Sequence, residues 1–419
     1  MLNLIDDTAQ GTDARLLDTV GWISISDAIS RDQARTIARR TIPPSDLHKW
    51  PGLTVNDASS SETCLAFIGP TAADTHSVKW RHSLFRDVSG NSNDCRCMVA
   101  SADGTLLAAS FNSGTVLVWQ LSDGLLVRRL PDHGHTGWKR PVAFSPNAHH
   151  LVAGSSDYTV VIWDIRTSLS LLRLEGLDDK VVVVAYSPDG SRIAAGSEEG
   201  GVTIWDAFDG TCLHSLDLGE EIFEIIFSPE SSRLAIRFRA GGAIYDVHTG
   251  TNITIFRHSR GIRLAWSPQG DRIITGTGGG RAKISNSATG EALLELEGHR
   301  DTIRSVAFSR EGTQVATASD DRTVVTCDSW AGQRHRVYHM PSIVRRVAYS
   351  SKGEYIAMGD NGGRVRVCEA KSGVFVAEFR GHTDRIWELM FVPNSLDLLS
   401  RSHNGGVRLW SIRDAMRVR

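Results

Sequence analysis

No pair of cysteines in this sequence has the spacing that grips zinc. The six, at positions 64, 95, 97, 212, 327 and 368, form no Cys-x-x-Cys motif, so a zinc site has no ligand framework. Buried, reduced thiols of an intracellular protein are expected instead. Long apolar stretches are equally scarce. The longest pure apolar run is Val181 to Tyr186, far below the roughly 18 residues a membrane helix needs, so no membrane span is expected. The N-terminal MLNLIDDTAQGTDARLL carries two acidic residues before any basic one and lacks an apolar core, which makes a poor signal peptide. A cytoplasmic or nuclear protein is the expectation. Neither sign of charge is in excess: 46 Lys and Arg stand against 48 Asp and Glu, a net charge of -2. Nothing draws the whole chain to nucleic acid or an anionic membrane, although a local basic patch stays open to it. No P-loop is found, no carboxylate pair stands out, and the histidines show no metal-ligand spacing. No cofactor or metal is expected.

What the chain does have is a repeat of about forty residues. The phrase VAFSP at 142–146 returns as VAYSP at 184–188, IIFSP at 225–229, LAWSP at 264–268, VAFSR at 306–310 and VAYSS at 347–351. Weaker copies stand at 98–104 (MVASADG) and 389–393 (LMFVP). The serine of the phrase, or its equivalent, falls at 101, 145, 187, 228, 267, 309, 350 and 392. Spacing so even defines eight units.

Each unit reads as short strands. A turn signal (PDG, PQG, REG or SKG) follows the phrase. Then come an apolar run such as RIAAGS (192–197), a second turn, and an alternating segment such as TVVIWDI (159–165) or VRLWSI (407–412). The period of two suits a sheet with two different faces. A fourth segment closes most units, and no proline interrupts these strands.

From about residue 94 to 412 the chain resembles the Trp-Asp (WD) repeat family. The family's GH mark stands at Gly134-His135, Gly298-His299 and Gly381-His382, and its WD mark at Trp163-Asp164 and Trp205-Asp206. The resemblance implies an all-β, eight-bladed propeller of four-stranded blades around a channel, a way to stabilise repeats that cannot bury themselves alone. The last unit runs out of chain after its third strand. The resemblance implies that an N-terminal strand within 77–88 completes that blade, since an open edge would be left otherwise. ETCLAFIG (62–69) is a second strand candidate. Residues 1–60 are expected to form a helical extension and linker. Thr12 or Asp13 would cap a helix through LLDTVGW, and Ser30 another through RDQARTIARR. The propeller would occupy 61–419.

The family's structural tetrad joins a histidine, a serine or threonine, an aspartate and a tryptophan in a buried hydrogen-bond chain. Carried over here, it is complete in one unit as His135, Ser155, Asp157 and Trp163. The sixth unit has His299, Ser319 and Asp321 with Cys327 for tryptophan, and the last has His382, Ser402 and Trp410 with Asn404 for aspartate. This is a structural set, not a hydrolase site. GTGGGR (276–281) lies at a strand-to-strand turn, where a phosphate cradle needs a helix N-terminus. RFRAGG (237–242) resembles the paired-arginine motif of phosphoinositide-binding propellers, but Ala240 replaces the second arginine.

Aligning the units on the serine exposes a rim. Five residues earlier stand Arg96, Arg140, Val182, Phe223, Ile262, Arg304, Arg345 and Trp387. Two before those stand Asp94, Trp138, Lys180, Glu221, Arg260, Thr302, Ile343 and Arg385. By resemblance these positions line the channel mouth. Arginine and tryptophan are enriched at binding hot spots. The partner-binding set is therefore Arg96, Trp138, Arg140, Phe223, Arg260, Arg304, Arg345, Arg385 and Trp387. The expected function is a non-enzymatic scaffold that holds protein partners, such as an acidic or phosphorylated segment. The alternative is a phosphoinositide or nucleic-acid binder using the same arginines. An enzyme would need clustered acid–base groups at the mouth, where Asp94 and Glu221 are the acidic residues.

Overall fold

The computed structural model describes residues 95–130, 141–257 and 263–417, together with four earlier strands, Trp22–Ser26, Leu53–Asp57, Glu62–Phe67 and His82–Ser83. It contains eight four-stranded antiparallel sheets, the blades of a propeller, and one three-stranded sheet. Blade 1 spans 95–130, blade 2 142–174, blade 3 181–217, blade 4 222–257, blade 5 263–296, blade 6 303–339 and blade 7 344–379. Blade 8 takes three strands from 386–411, and His82–Ser83 is its fourth. Ser83 lies opposite Arg408 and His82 opposite Leu409. A short helix, Ile412–Arg417, follows.

The recurring serine has a structural reason. In seven blades its hydroxyl accepts a hydrogen bond from the backbone N–H five residues on, at 2.9–3.0 Å. The turn between the first two strands is thereby closed on a buried side chain, and each donor keeps a partner. The glycine of the turn signal takes a left-handed conformation, as at Gly190 (φ 74°) and Gly270 (φ 75°), which costs glycine little. The aspartate of the WD mark works similarly in the next turn. Asp206 Oδ1 accepts from the N–H of Phe208 at 2.8 Å, and Asp164 Oδ1 from that of Thr167 at 2.7 Å.

Apolar side chains fill the seams between blades. Gly196 of blade 3 is so close to Ile222 of blade 4 that a Cβ would lie 2.7 Å from it. Gly276 and Gly359 meet Ile303 and Ile386 in the same way. Blade 8 meets blade 1 through the Met98 N–H, which donates to Glu388 Oε2 (3.3 Å), and through Arg401, which donates to the carbonyl of Cys95 (3.0 Å).

The N-terminal segment departs from the sequence reading. Its described part is an antiparallel sheet in which Glu62–Phe67 pairs with Trp22–Ser26 on one side and Leu53–Asp57 on the other. Ile23 and Ile25 alternate with Ser24 and Ser26, a period-two pattern that overrides the capping signal upstream. Glu62–Phe67 thus belongs to this sheet and not to a blade. The strands of the propeller begin at His82, not at residue 61. The two expected helices otherwise fall outside the described residues.

Candidate interaction site at the channel mouth

The rim residues sit on a repeated irregularity. In six inner strands the ladder slips by one residue, at Arg96, Val182, Phe223, Arg304, Arg345 and Trp387. Each is the extra residue of a β-bulge. A bulge leaves one residue out of the ladder and re-aims its side chain. The positions picked out by alignment are therefore those the backbone releases from pairing. Trp138, Arg140 and Arg260 fall outside the described residues, as do Asp94, His135 and Ile262.

A residue sixteen positions later braces most of these side chains. Arg96 Nε donates to Asn112 Oδ1 (2.5 Å), and Arg345 Nε to Asn361 Oδ1 (2.7 Å). Arg304 grips Asp320 through Nε and Nη2 at 2.5–2.9 Å. Trp387 packs against His403, with ring centroids 5.1 Å apart, and Arg385 lies over its ring at 5.6 Å. Both terminal nitrogens of Arg345 lack a partner among the described residues. Burial lowers the Arg345 pKa, and the charges of Arg304 and Arg385 lower it further. The hydrogen bond to Asp320 raises that of Arg304. Arg304, Arg345 and Arg385 are thus electrostatically coupled across blades 6 to 8, with Asp320 paired to Arg304. Across the ring, Lys180 pairs with Glu198 (3.5 Å) and Glu221 with Arg239 (2.8 Å). Phe223 lies beneath the Arg237 guanidinium at 5.0 Å, so this side is of mixed character.

The tetrad needs a correction. In blade 8, His382 Nε2 and the Ser400 hydroxyl are 2.7 Å apart, and Trp410 Nε1 donates to the same oxygen at 2.7 Å. In blade 6, His299 bridges Asp321 (2.9 Å) and Thr317 Oγ1 (2.8 Å). The linking hydroxyl is therefore two residues before the one expected, at Ser400 instead of Ser402 and at Thr317 instead of Ser319. Residues two apart share a strand face, so spacing alone could not separate them. The equivalent position in blade 2 is Ala153, and the His135 of that unit lies outside the described residues. Ser155 accepts from the N–H of Asp157 (3.3 Å), and Asp157 holds Arg173 (2.6 Å) and Thr159 (2.6 Å). Trp163 is buried in the seam.

The next layer of the channel was missed by the alignment. Four residues before the serine stand Glu224, Arg263, Ser305, Arg346 and Glu388 in blades 4 to 8. Glu224 lies opposite Arg237, and Glu388 opposite Arg401. Both pairs form salt bridges, at 3.0 and 2.9 Å. Arg263 and Arg346 lie opposite Gly276 and Gly359. The signal was present: charge at a position that is Val183 or Cys97 in other units.

The mouth offers guanidinium donors and an aromatic face. Ser400 and His382 are buried, which gives a substrate no access to that pair. Among the described residues no group of three or more His, Cys, Asp or Glu side chains is placed to hold a metal ion. No described helix is long and apolar enough to cross a membrane.

Comparison with known proteins fits this geometry. The family model "WD domain, G-beta repeat" matches residues 82–120, 126–164, 170–206, 290–326 and 373–411. Each match begins at an outer strand and ends at the third strand of the next blade, a stagger that the pairing of His82–Ser83 with blade 8 shares. Autophagy-related protein 16 of Arabidopsis thaliana is 25% identical over 67% of this chain and 57% of its own length. The chain thus spans little more than half of that relative. Eukaryotic translation initiation factor 3 subunit I of Aspergillus oryzae is 26% identical over 77% of this chain and 92% of its length. Retinoblastoma-binding-like protein E of Dictyostelium discoideum is 22% identical over 75% and 59%. Among solved structures, the computationally designed Ika8 protein superposes with a TM-score of 0.66 at 21% identity, covering 80% of this chain and 98% of that one. The Cps50 (Swd1) β-propeller domain of Myceliophteria thermophila gives 0.53 at 18% identity, covering 66% and 97%. At these identities the structural likeness speaks to the fold.

Proposed function

This chain belongs to the WD-repeat family, and on that premise we propose that it is a non-enzymatic scaffold that holds a protein partner at the channel mouth. The observation that carries the reading is the row of bulges. They lift Arg304, Arg345 and Trp387 out of the ladder on three consecutive blades, with Arg385 beside them. Trp387 is 39% exposed, which leaves part of its ring face open to a partner. The partner we infer is a segment that sets acidic or phosphorylated groups beside an apolar anchor. Arginine grips such groups through parallel hydrogen bonds, and tryptophan supplies contact area. The relatives are named for autophagy, translation initiation and retinoblastoma binding, which accords with a carrier of protein contacts. We place this role in the cytoplasm or nucleus, where free thiols such as Cys95, Cys97 and Cys327 stay reduced.

The test compares proteins captured from native extract by the parent and by an Arg304→Glu/Arg345→Glu variant, then titrates the partner found. The rim variant is expected to bind at least about tenfold more weakly, and Trp387→Ala about 2 kcal/mol more weakly, as hot-spot residues do. Lys352→Glu, in an exposed turn at the other end of the inner strands, should bind like the parent. The reading fails if the Lys352 variant loses the partner while the rim variant keeps it. Capture of lipid or nucleic acid in place of protein, with a steep loss on adding salt, would transfer the same arginines to the rival ligand.

A further inference from the structure

Below the rim, the channel gathers six charged side chains from four blades. Glu224 and Arg237 come from blade 4, Arg263 from blade 5, Arg346 from blade 7, and Glu388 and Arg401 from blade 8. Each glutamate is salt-bridged to the arginine opposite it, and both also act on Arg346 at longer range. Arg263 has no hydrogen-bond or ion-pair partner among the described residues. The side chain of Arg346 donates to the backbone carbonyl of Arg345 (2.9 Å) and meets no carboxylate at ion-pair distance. The cluster therefore keeps two positive charges in excess, four arginines against two glutamates.

Both arginines are half-buried, so the channel reaches them. Burial pushes Arg263 down to about 9 and Arg346 to about 10, and the neighbouring Arg346 and Arg237 charges lower Arg263 further. Arg263 thus lies in the field of Arg346, while Glu388 and Glu224 partly offset the effect of burial on Arg346. Between their blades stands Ser305 of blade 6. Its oxygen accepts from the N–H of Val347 (3.3 Å), which leaves its hydroxyl proton to donate. A partly buried charge without an ion-pair partner is costly, and two such arginines on either side of blade 6 give the channel a reason to attract an anion. The planar fork of arginine matches phosphate oxygens.

We propose that Arg263 and Arg346, with Ser305 between them, form an anion site inside the channel that takes a small, free phosphate-type ion. Glu224 and Glu388 border the site and exclude the anion from their sides, which confines it to the wall of blades 5 to 7. The site uses none of the rim residues and does not depend on the protein-binding reading.

The probes are inorganic phosphate and pyrophosphate, titrated into the full chain by calorimetry with chloride holding the ionic strength constant. Saturable binding of about one pyrophosphate per chain is expected, with a matching rise in melting temperature. Arg263→Gln and Arg346→Gln should each weaken binding at least about tenfold, because a charge-assisted pair is lost. Arg263→Lys keeps the charge without the fork, and should fall between the parent and Arg263→Gln, which separates site loss from misfolding. Lys352→Gln, in an exposed turn at the other end of the inner strands, should bind pyrophosphate like the parent. The proposal is overturned if the parent shows no saturable binding, or if both glutamine variants bind like the parent. Tighter binding of a phosphoserine peptide than of pyrophosphate would equally sink the assignment to a free ion.

Discussion

Ser400 sits between an indole and an imidazole, and its two bonds fix the proton order. Because its oxygen accepts from Trp410, its own proton points to His382 Nε2, which must then be unprotonated. Burial, and then the Arg408 charge, lower the His382 pKa from 6.5 to about 3. The unfolded chain therefore binds a proton that the folded chain refuses between those values. Stability falls as the pH drops through this window, by about 1.4 kcal/mol per pH unit from this group. Denaturant unfolding of the parent at pH 7, 6 and 5 should show the loss. His382→Gln, though less stable at pH 7, should lack this component of the slope. Equal slopes would refute the assignment. This chain was half legible in the sequence. Its members His382 and Trp410 were found from their marks, whereas the hydroxyl was placed at Ser402 because two residues on one strand face look alike. Arg263 and Arg346 stand one residue farther from the rim, at a position that is Val183 or Cys97 in other units.

The strands were readable because seven of the eight units repeat a serine whose hydroxyl closes the first turn, so the mark and the structure have one cause. The bulges were not. No glycine or other turn residue flags Arg304 or Arg345, and a slip in pairing becomes visible only when both strands are seen. The N-terminal sheet was hidden by a helix-capping pattern that the Ile-Ser alternation at 22–26 outweighs. The closing strand rests on two residue pairs, where the outer strands of the neighbouring blades 7 and 1 pair four and that of blade 6 pairs five. We propose that this short strand is the latch of the ring. Removal of residues 77–88 is expected to lower the melting temperature and to speed amide exchange in Val407–Ser411 over that in Thr323–Asp328, because exchange follows local opening. Melting and exchange equal to those of the full chain would count against the latch.

Across the whole molecule, charge is nearly balanced at -2, yet the mouth over blades 6 to 8 gathers Arg304, Arg345 and Arg385, of which Arg304 is paired with Asp320. An acidic partner therefore meets attraction in one direction of approach. The association rate should fall steeply between about 50 and 500 mM salt, as screening shortens the field. The dissociation rate should change less. Rates measured by stopped flow would settle this, and a salt-insensitive association rate would remove electrostatics from the account. The bulges have a further consequence for descent. A residue outside the ladder has no strand partner whose identity constrains it, and across the blades that position is already Arg, Val, Phe or Trp. Inherited changes there can alter what the mouth recognises while the fold stays as it was, so copies of such a gene can diverge in partner long before they diverge in shape.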